Sequence, residues 1–376
     1  MRHAKNSWAL LKSKFTMDVI LQKIKAKVEA SQRINEEECL ALYQSNDLIA
    51  LGQIANIVRE RKNGKITYYN INRHVNYSNV CYVECKFCEF GQPKSSPKSY
   101  LLDLEEMKRL AKTSEAEGAT ELHIVGGLHP DYKIDYYENL LRELKTVAPS
   151  LHLKGFTAVE IDYFAKVSKI SVEETLTRLR QAGLDSLPGG GAEILGERVR
   201  KEICPNKISG ERWLEIHRIA HKMGFRSNAT MLYGHVEKDE DRVEHLKMLR
   251  DLQDETGGFQ TFIPLSFIPF DTPMAHLPEP TGLTDLKQIA VSRIYLDNFD
   301  HIKTYWIMSG VKIAQLALSF GADDLDGTVT QERIVHMAGA KTPEKLSSEL
   351  IQKLIREAGR EPVERDTLYN TLHRVA

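Results

Sequence analysis

Three cysteines lie within eight positions of one another and could hold a metal cluster. Cys81, Cys85 and Cys88 form a Cys-x3-Cys-x2-Cys loop. Three thiolates can hold three irons of a [4Fe–4S] cubane and leave the fourth iron open to a small molecule, which indicates catalysis rather than electron transfer alone. Two other interpretations stay open from spacing alone: a zinc site completed by Cys204 or His74, and buried thiols that hold no metal.

The other cysteines are isolated, and we predict structural roles for Cys39 and Cys204. Five cysteines in 376 residues do not form a disulfide framework, so we expect a reducing, cytoplasmic compartment. The first residues are basic but lack the long apolar run and the cleavage site of a secretory signal. An internal start at Met17 would remove this leader, and the sequence does not decide between the two starts.

The composition excludes several classes of protein. Lys and Arg number 51 and Asp and Glu number 52, so the formal net charge is −1 and nucleic acid is not an expected partner. Hydrophobic residues make up 42% of the chain, which is typical of globular domains. No stretch approaches the 18 or so apolar residues of a membrane span, so we expect a soluble protein with no membrane partner.

The elements that must position the cysteines alternate along the chain. From residue 65 onward, β-rich runs alternate with amphipathic helices, and eight strand candidates run from KITYYNINRHV to DDLDGTV. Their connections are too long for hairpins, so neighbouring strands should be parallel, and a (β/α)8 barrel of the α/β class is the simplest closure. We predict an N-terminal helical extension over 1–64 that stops at Gly64, the barrel over 65–330, and a C-terminal helical extension over 331–376 packed on the barrel.

Active sites of such barrels lie at the carboxyl ends of the strands. The cysteine loop follows the first predicted strand, and GGLHP, TAVE, PGGGAE, YGHVE and SFIPFDT follow strands two to six. We therefore expect the chemistry in these loops. Asn228 and Thr230 alternate along the fifth strand and could point into the barrel or simply pack in its core.

The cysteine loop, CYVECKFC, resembles the Cx3CxΦC signature of the radical S-adenosylmethionine (SAM) superfamily. DSLPGGGAEI, KEICPNKIS and NATMLYGHVE together are similar to the aminodeoxyfutalosine synthase family. Dehypoxanthine futalosine cyclases and FO synthases share the GGLHP-like and PGGGAE-like loops, so those two loops identify only the group.

This resemblance implies a [4Fe–4S] cluster on Cys81, Cys85 and Cys88, with SAM consumed as a co-substrate. It also implies that a 5′-deoxyadenosyl radical adds to 3-[(1-carboxyvinyl)oxy]benzoate. Loss of CO2 or bicarbonate then gives 6-amino-6-deoxyfutalosine and methionine, in menaquinone biosynthesis. An electron donor such as flavodoxin or ferredoxin is implied as a partner.

The resemblance also suggests which residues contact SAM. Phe87 would pack against the adenine, and Gly126 and Gly127 would lie beside the methionine part. Leu128 occupies the position where many superfamily members carry Glu, so the contact to the SAM ammonium is left open.

Four polar residues complete the expected site. Glu193 follows a glycine triplet and is suited to ribose hydroxyls, whereas Arg200 could pair with the SAM carboxylate through its planar fork. His129 and His235 lie at predicted strand ends, where they could bind an acceptor carboxylate or move a proton. The alternatives are a sharp turn for the glycines, a paired or solvated role for Arg200, and structural hydrogen bonding for the histidines.

Two other functions remain open. A sister enzyme would use the same radical to abstract hydrogen from dehypoxanthine futalosine and close a ring. A protein of a different class would use its cysteines only to stabilise the fold around zinc or iron–sulfur. Product mass separates the first two functions, and a SAM-induced change in the cluster's EPR signal separates both from the third.

Overall fold

Three helices precede the first strand in the computed structural model, which describes residues 18–374. They are α1 (Val19–Glu29), α2 (Glu36–Gln44) and α3 (Leu48–Asn63). A capping box starts α2: Asn35 accepts a hydrogen bond from the Glu38 N–H, and the Glu38 carboxylate accepts one from the Asn35 N–H. α3 ends as predicted at Gly64, whose φ of 55° suits glycine. The basic leader and the alternative start at Met17 lie outside the described residues.

The first predicted strand is two strands. β1 (Ile66–Asn70) and β2 (Asn72–Val75) are separated at Ile71 and belong to different sheets. Only β2 enters the barrel. The sequence does not reveal this change of sheet, because the residues on both sides of Ile71 are largely buried.

The barrel is built from parallel strands that follow one another in chain order. After β2 come β3 (Glu121–Ile124), β4 (His152–Gly155), β5 (Ser186–Leu187), β6 (Arg226–Tyr233), β7 (Phe259–Ser266) and β8 (His301–Ile302). Isolated bridges join Lys303 to Asp324 and Arg73 to Thr330, so the segment 324–330 links both edges of this sheet. The predicted (β/α)8 class is confirmed.

Helices lie between the barrel strands. They are α4 (Leu104–Ala116), α5 (Ile134–Val147), α6 (Ala158–Ser168), α7 (Val172–Ala182), α8 (Glu197–Ile203), α9 (Gly210–Lys222), α10 (Asp239–Thr256), α11 (Gly282–Tyr295), α12 (Trp306–Ser309) and α13 (Val311–Ala317). α5 shows why they form: Ile134, Tyr137, Leu141 and Leu144 recur at helical spacing and are all buried. No helix in residues 18–374 is long and apolar enough to cross a membrane.

The C-terminal segment contains strands as well as helices. It comprises β9 (Asp324–Gly327), α14 (Ile334–Met337), α15 (Ser348–Glu357), β10 (Glu361–Arg365) and β11 (Thr371–Arg374). A second sheet has the order β11–β10–β1–β9, with β10 parallel to β1 and antiparallel to β11. The expectation of a purely helical extension over 331–376 therefore needs correction. The sequence of β10 is polar and does not look like a buried strand. Its Arg365 side chain is nevertheless buried, with Nη2 2.6 Å from Asp324 Oδ2.

Candidate active site

A cavity of about 310 Å³ lies inside the barrel, where the strand ends and their loops meet. Side chains of the cysteine loop line one part of it, and side chains projecting from the strands line another. Its apolar lining includes Ile263, Leu265, Phe267, Met308 and Val335. A concave, mostly apolar cavity with a few convergent polar groups is the usual form of a small-molecule site.

The three cysteines of the predicted cluster all line this cavity, together with Phe87. A Cβ atom placed on Gly91 would lie 3.9 Å from the sulfur atoms of both Cys81 and Cys88, so these two thiols flank the same point. Burial raises the pKa of Cys85 to about 12 and also raises that of Cys88. Thiols shielded in this way need a bound cation to ionise, and iron supplies one.

The donor set fits a [4Fe–4S] cluster with one open iron, because three thiols and no fourth cysteine line the cavity. A zinc ion would draw its ligands to within about 2.3 Å of one point. Within residues 18–374, no three His, Cys, Asp or Glu side chains converge as ligands of a single metal ion. This arrangement favours the cluster over the zinc site with Cys204 or His74.

Glu193 lines the cavity beside a lysine that the sequence analysis missed. The Lys207 ammonium donates to Glu193 Oε1 at 2.6 Å and lies 5.1 Å from the centre of the Phe87 ring. Burial opposes the charge on Lys207, but Cys85 and Glu193 more than offset it, so its pKa is raised well above the ordinary value. Glu193 also has a φ of 47°, in the left-handed region, and such strain is common at functional sites. Lys207 lies within KEICPNKIS, a segment that the sequence analysis used only for its similarity to a known family.

Gly126 and Gly127 line the cavity as expected, and the structure adds a packing reason for them. A Cβ atom on Gly126 would lie 2.6 Å from the Tyr77 ring, and one on Gly127 would lie 2.3 Å from the Val80 carbonyl oxygen. Only glycine lets this loop pack so closely on the segment that leads into the cysteines. Leu128 also lines the cavity and offers no carboxylate to an ammonium group.

Glu160 fixes the same loop and was not predicted. Its Oε1 accepts hydrogen bonds from the Gly126 N–H at 3.1 Å and the Tyr77 hydroxyl at 2.8 Å, and its Oε2 accepts from the Thr157 N–H at 2.7 Å. Burial raises the pKa of Glu160 to about 7, against the effect of these donors. The signal was the spacing Thr-x-x-Glu in TAVE, which is a helix capping box.

Arg200 does not line the cavity, contrary to the predicted contact with a SAM carboxylate. It is 3% exposed, and its guanidinium donates to backbone carbonyls on either side of it. These are Ala192 at 2.6 Å, Ile194 at 3.3 Å, Gly191 at 3.4 Å and Ile208 at 2.6 Å. Its donors are used to hold the loop that carries Glu193, so Arg200 is a positioning residue.

His129 and His235 also lie outside the cavity lining, so the structure does not bring them to the other candidate site residues. The His129 Nδ1 accepts from the Asp131 N–H at 3.3 Å, and its ring packs on Tyr132 with centroids 4.4 Å apart. The His235 Nδ1 accepts from the Val236 N–H at 2.7 Å, and its Nε2 lies 3.1 Å from the Leu232 carbonyl. Both rings contact the loops to which they belong. A position after a strand does not determine which way the side chain points, so the sequence did not show this.

The polar groups that do line the cavity come from within strands. His74 in β2, His123 in β3 and Lys154 in β4 are partners in the parallel register, so they form one layer across three adjacent strands. The two imidazole rings stack 4.5 Å apart at 13°. The Lys154 ammonium donates to Glu121 Oε2 at 2.6 Å, and both side chains are 3% exposed.

A second buried ion pair lies on the cavity wall directly after β8. The Lys303 ammonium donates to Asp326 Oδ1 at 2.9 Å, and Asp326 has a φ of 65°. Asn228 and Thr230 line the cavity too, so their inward orientation is confirmed. The sequence signal for this wall was polar residues at alternating positions inside buried strands, as in Glu121 and His123.

Comparison with known proteins identifies the family of this chain. The radical SAM superfamily model matches residues 75–249, and the model of the CofH/MqnC C-terminal region matches 256–376. Aminodeoxyfutalosine synthase of Thermus thermophilus is 47% identical over 350 residues, covering 92% of this chain and 94% of the relative. The chain belongs to the radical SAM superfamily. It is therefore an enzyme that uses a [4Fe–4S] cluster and consumes SAM as a co-substrate.

Other relatives of this radical SAM enzyme carry related names. Aminodeoxyfutalosine synthase of Streptomyces coelicolor is 46% identical and covers 95% of both chains. Cyclic dehypoxanthine futalosine synthase of the same organism is 44% identical, covering 94% of this chain and 89% of the relative. Among solved structures, methylornithine synthase superposes with a TM-score of 0.73 at 18% identity, covering 90% of this chain and 97% of that one. At that identity the likeness shows the fold alone.

Proposed function

We propose that this radical SAM enzyme is an aminodeoxyfutalosine synthase. It would join the 5′-deoxyadenosyl group of SAM to 3-[(1-carboxyvinyl)oxy]benzoate, with loss of CO2 or bicarbonate, and give 6-amino-6-deoxyfutalosine. The observation that carries the proposal is the pair of relatives of that name, at 47% and 46% identity over most of both chains. The cavity supports it, since one space contains three thiols and a wall of lysines and histidines suited to a dicarboxylate.

Cys81, Cys85 and Cys88 would hold the cluster, at the mouth of the barrel. When bound there, the cluster supplies the electron that cleaves SAM to methionine and a 5′-deoxyadenosyl radical. Phe87, beside the cysteines, offers a flat face to the adenine. Glu193 would accept hydrogen bonds from the ribose hydroxyls, with Lys207 holding its carboxylate in place.

The rest of the cavity would orient the acceptor and exclude water. A radical addition requires the alkene to lie within contact distance of the attacking carbon, so a fixed pose supplies much of the rate. The apolar lining of Ile263, Leu265 and Phe267 limits the access of water and external reductant to the radical. The cavity wall thereby favours addition over quenching.

The test is an anaerobic incubation of the reconstituted enzyme with dithionite, the acceptor and SAM labelled at the 5′ carbon. Mass spectrometry should find the label in a decarboxylated adduct, with little free 5′-deoxyadenosine. The relative at 44% identity defines the competing result. If the label left entirely as 5′-deoxyadenosine, the acceptor remained intact and dehypoxanthine futalosine was cyclised, the enzyme would be the sister cyclase.

The physiological setting is part of the same proposal. Free thiols that must bind iron call for a reducing compartment, so we place the reaction in the cytoplasm, with a flavodoxin or ferredoxin as electron donor. Replacing dithionite by either reduced protein should support adduct formation. Failure of both proteins alongside success of dithionite would exclude these donors.

A further inference from the structure

The histidine and lysine layer inside the barrel has hydrogen-bonding groups without protein partners. The rings of His74 and His123 stack on each other, but no group in the described part of the chain hydrogen-bonds to their side-chain nitrogens. His74 is 8% exposed. Because both rings line the cavity, their unused nitrogens are available to hydrogen-bond a ligand there.

The same layer contains two buried lysine ammonium groups, each paired with one carboxylate and with N–H groups left over for a ligand. Lys154 follows His123 in register and is held by Glu121, and Lys303 is held by Asp326 nearby. A buried lysine carries a large desolvation cost that a hydrophobic residue would avoid. Burial lowers the pKa values of His74 and His123, so both rings are neutral near pH 7 and each can donate one N–H. Two neutral donors beside an ammonium group form a site for a carboxylate.

The depth of this layer determines which part of an acceptor could reach it. His74 lies in β2, seven residues before Cys81, while His123 and Lys154 lie in β3 and β4 before the loops that follow those strands. The cysteines and the Gly126 loop lie at the carboxyl ends of the strands, so the layer lies deeper in the barrel. If the alkene of an acceptor lies at the cysteine end, the other end of the acceptor lies at this deeper layer.

We propose that His74, His123 and Lys154 bind the ring carboxylate of an aryl carboxylate acceptor, at the deep end of the cavity. The assignment rests on the proposed function for the identity of the acceptor, but the site itself is defined by its affinity for an aryl carboxylate. The two imidazole N–H groups and the ammonium would donate to the carboxylate oxygens. This contact would fix the distance between the alkene and the cysteine end, and it would select acceptors by their ring carboxylate.

A binding experiment tests the site without catalysis. Isothermal titration of the reconstituted enzyme, without SAM, would compare 3-methoxybenzoate with its neutral isostere 3-methoxybenzamide. Wild type should prefer the acid. His123→Leu and Lys154→Met should each weaken binding of the acid roughly tenfold to a hundredfold, since each removes a hydrogen bond to a charged group. Neither variant should change binding of the amide by more than about threefold.

A kinetic experiment measures the same preference during turnover. In wild type, kcat/KM for 3-[(1-carboxyvinyl)oxy]benzoate should exceed that for the corresponding benzamide, and the ratio should fall toward one in the variants. A merely structural defect would lower both values equally and leave the ratio unchanged. The KM for SAM should stay within about twofold, because the layer is separate from the residues at the cysteine end.

Lys154→Met leaves Glu121 buried without its partner and could unfold the barrel. The double variant Glu121→Gln/Lys154→Met removes both charges and keeps the comparison possible. His373→Gln, exposed in β11, and Lys353→Met, exposed in α15, are the matched controls and should bind the acid as wild type does.

The outcomes separate the site from the reaction. If wild type bound the acid and the amide equally, or if all the layer variants bound the acid as tightly as wild type, the carboxylate site would be wrong. If the variants lost the acid but wild type formed no adduct, the site would stand and the proposed reaction would fail. If wild type formed the adduct and the variants kept the acid preference, the reaction would stand without this site.

Discussion

The two ends of the cavity are built in different ways. At the mouth, Cys81, Cys85 and Cys88 lie within one loop, and their spacing marks a candidate metal site before the fold is known. At the deep end, His74, His123 and Lys154 come from three strands that are far apart in the chain and meet only through the register of a parallel sheet. A site within one loop can be recognised from its spacing, whereas a site assembled across strands requires the register to be known.

The largest expected effect is at the mouth. Cys81→Ala should abolish SAM cleavage and remove most of the iron, because two thiolates cannot hold the cluster with one open site. Iron content, the EPR signal with SAM and the yield of 5′-deoxyadenosine measure the loss. Cys39→Ser is the control, since this thiol is buried in α2 away from the cavity. Full iron and full activity in Cys81→Ala would show that the cluster is held elsewhere.

Arg200→Ala should lower the free energy of unfolding by about 3 kcal/mol, because it leaves buried carbonyls without donors. Arg198→Ala, two residues earlier in α8, removes an exposed ion pair with Asp241 and should cost no more than about 1 kcal/mol. Denaturant unfolding measures both values. Folded Arg200→Ala should lose less SAM affinity than Glu193→Gln, because Arg200 acts on SAM only through the loop that carries Glu193. A loss of SAM affinity with unchanged stability would restore the role predicted from sequence.

Glu193→Gln should weaken SAM binding by about 2 kcal/mol, or roughly thirtyfold, since a neutral amide accepts a weaker hydrogen bond than a carboxylate. Iron content should not change, because Glu193 contacts Lys207 rather than a thiol. Equilibrium binding of SAM to the reconstituted enzyme gives the measurement. Glu197→Gln, exposed at the start of α8, should match wild type. If wild type, Glu193→Gln and Glu197→Gln bound SAM equally well, Glu193 would have only a structural role as the partner of Lys207.

The sequence predicted the barrel and the cysteine end because both depend on local spacing. Alternating elements with long connections imply parallel strands, and PGGGAE places Glu193 at a strand end. Three predictions needed information that spacing does not contain. Arg200 donates to nearby backbone carbonyls rather than into the cavity. β1 and β2 belong to different sheets although both are largely buried, and β10 buries Arg365 against Asp324.

The smallest expected effect comes from replacing the loop histidines, His129 and His235. Their variants contrast with a variant of His123, which lies in a strand. His129→Gln and His235→Gln should each change kcat and the KM for the acceptor by less than about threefold, because neither side chain lines the cavity. Burial lowers the pKa of both rings, so both are already neutral above pH 7, and the pH profile of adduct formation between 7 and 9 should match wild type. His123→Leu, one layer inside the barrel, should instead raise the acceptor KM at least tenfold. If His129→Gln raised that KM while His123→Leu did not, the acceptor would be held by the loops, and the deep layer would be only part of the core.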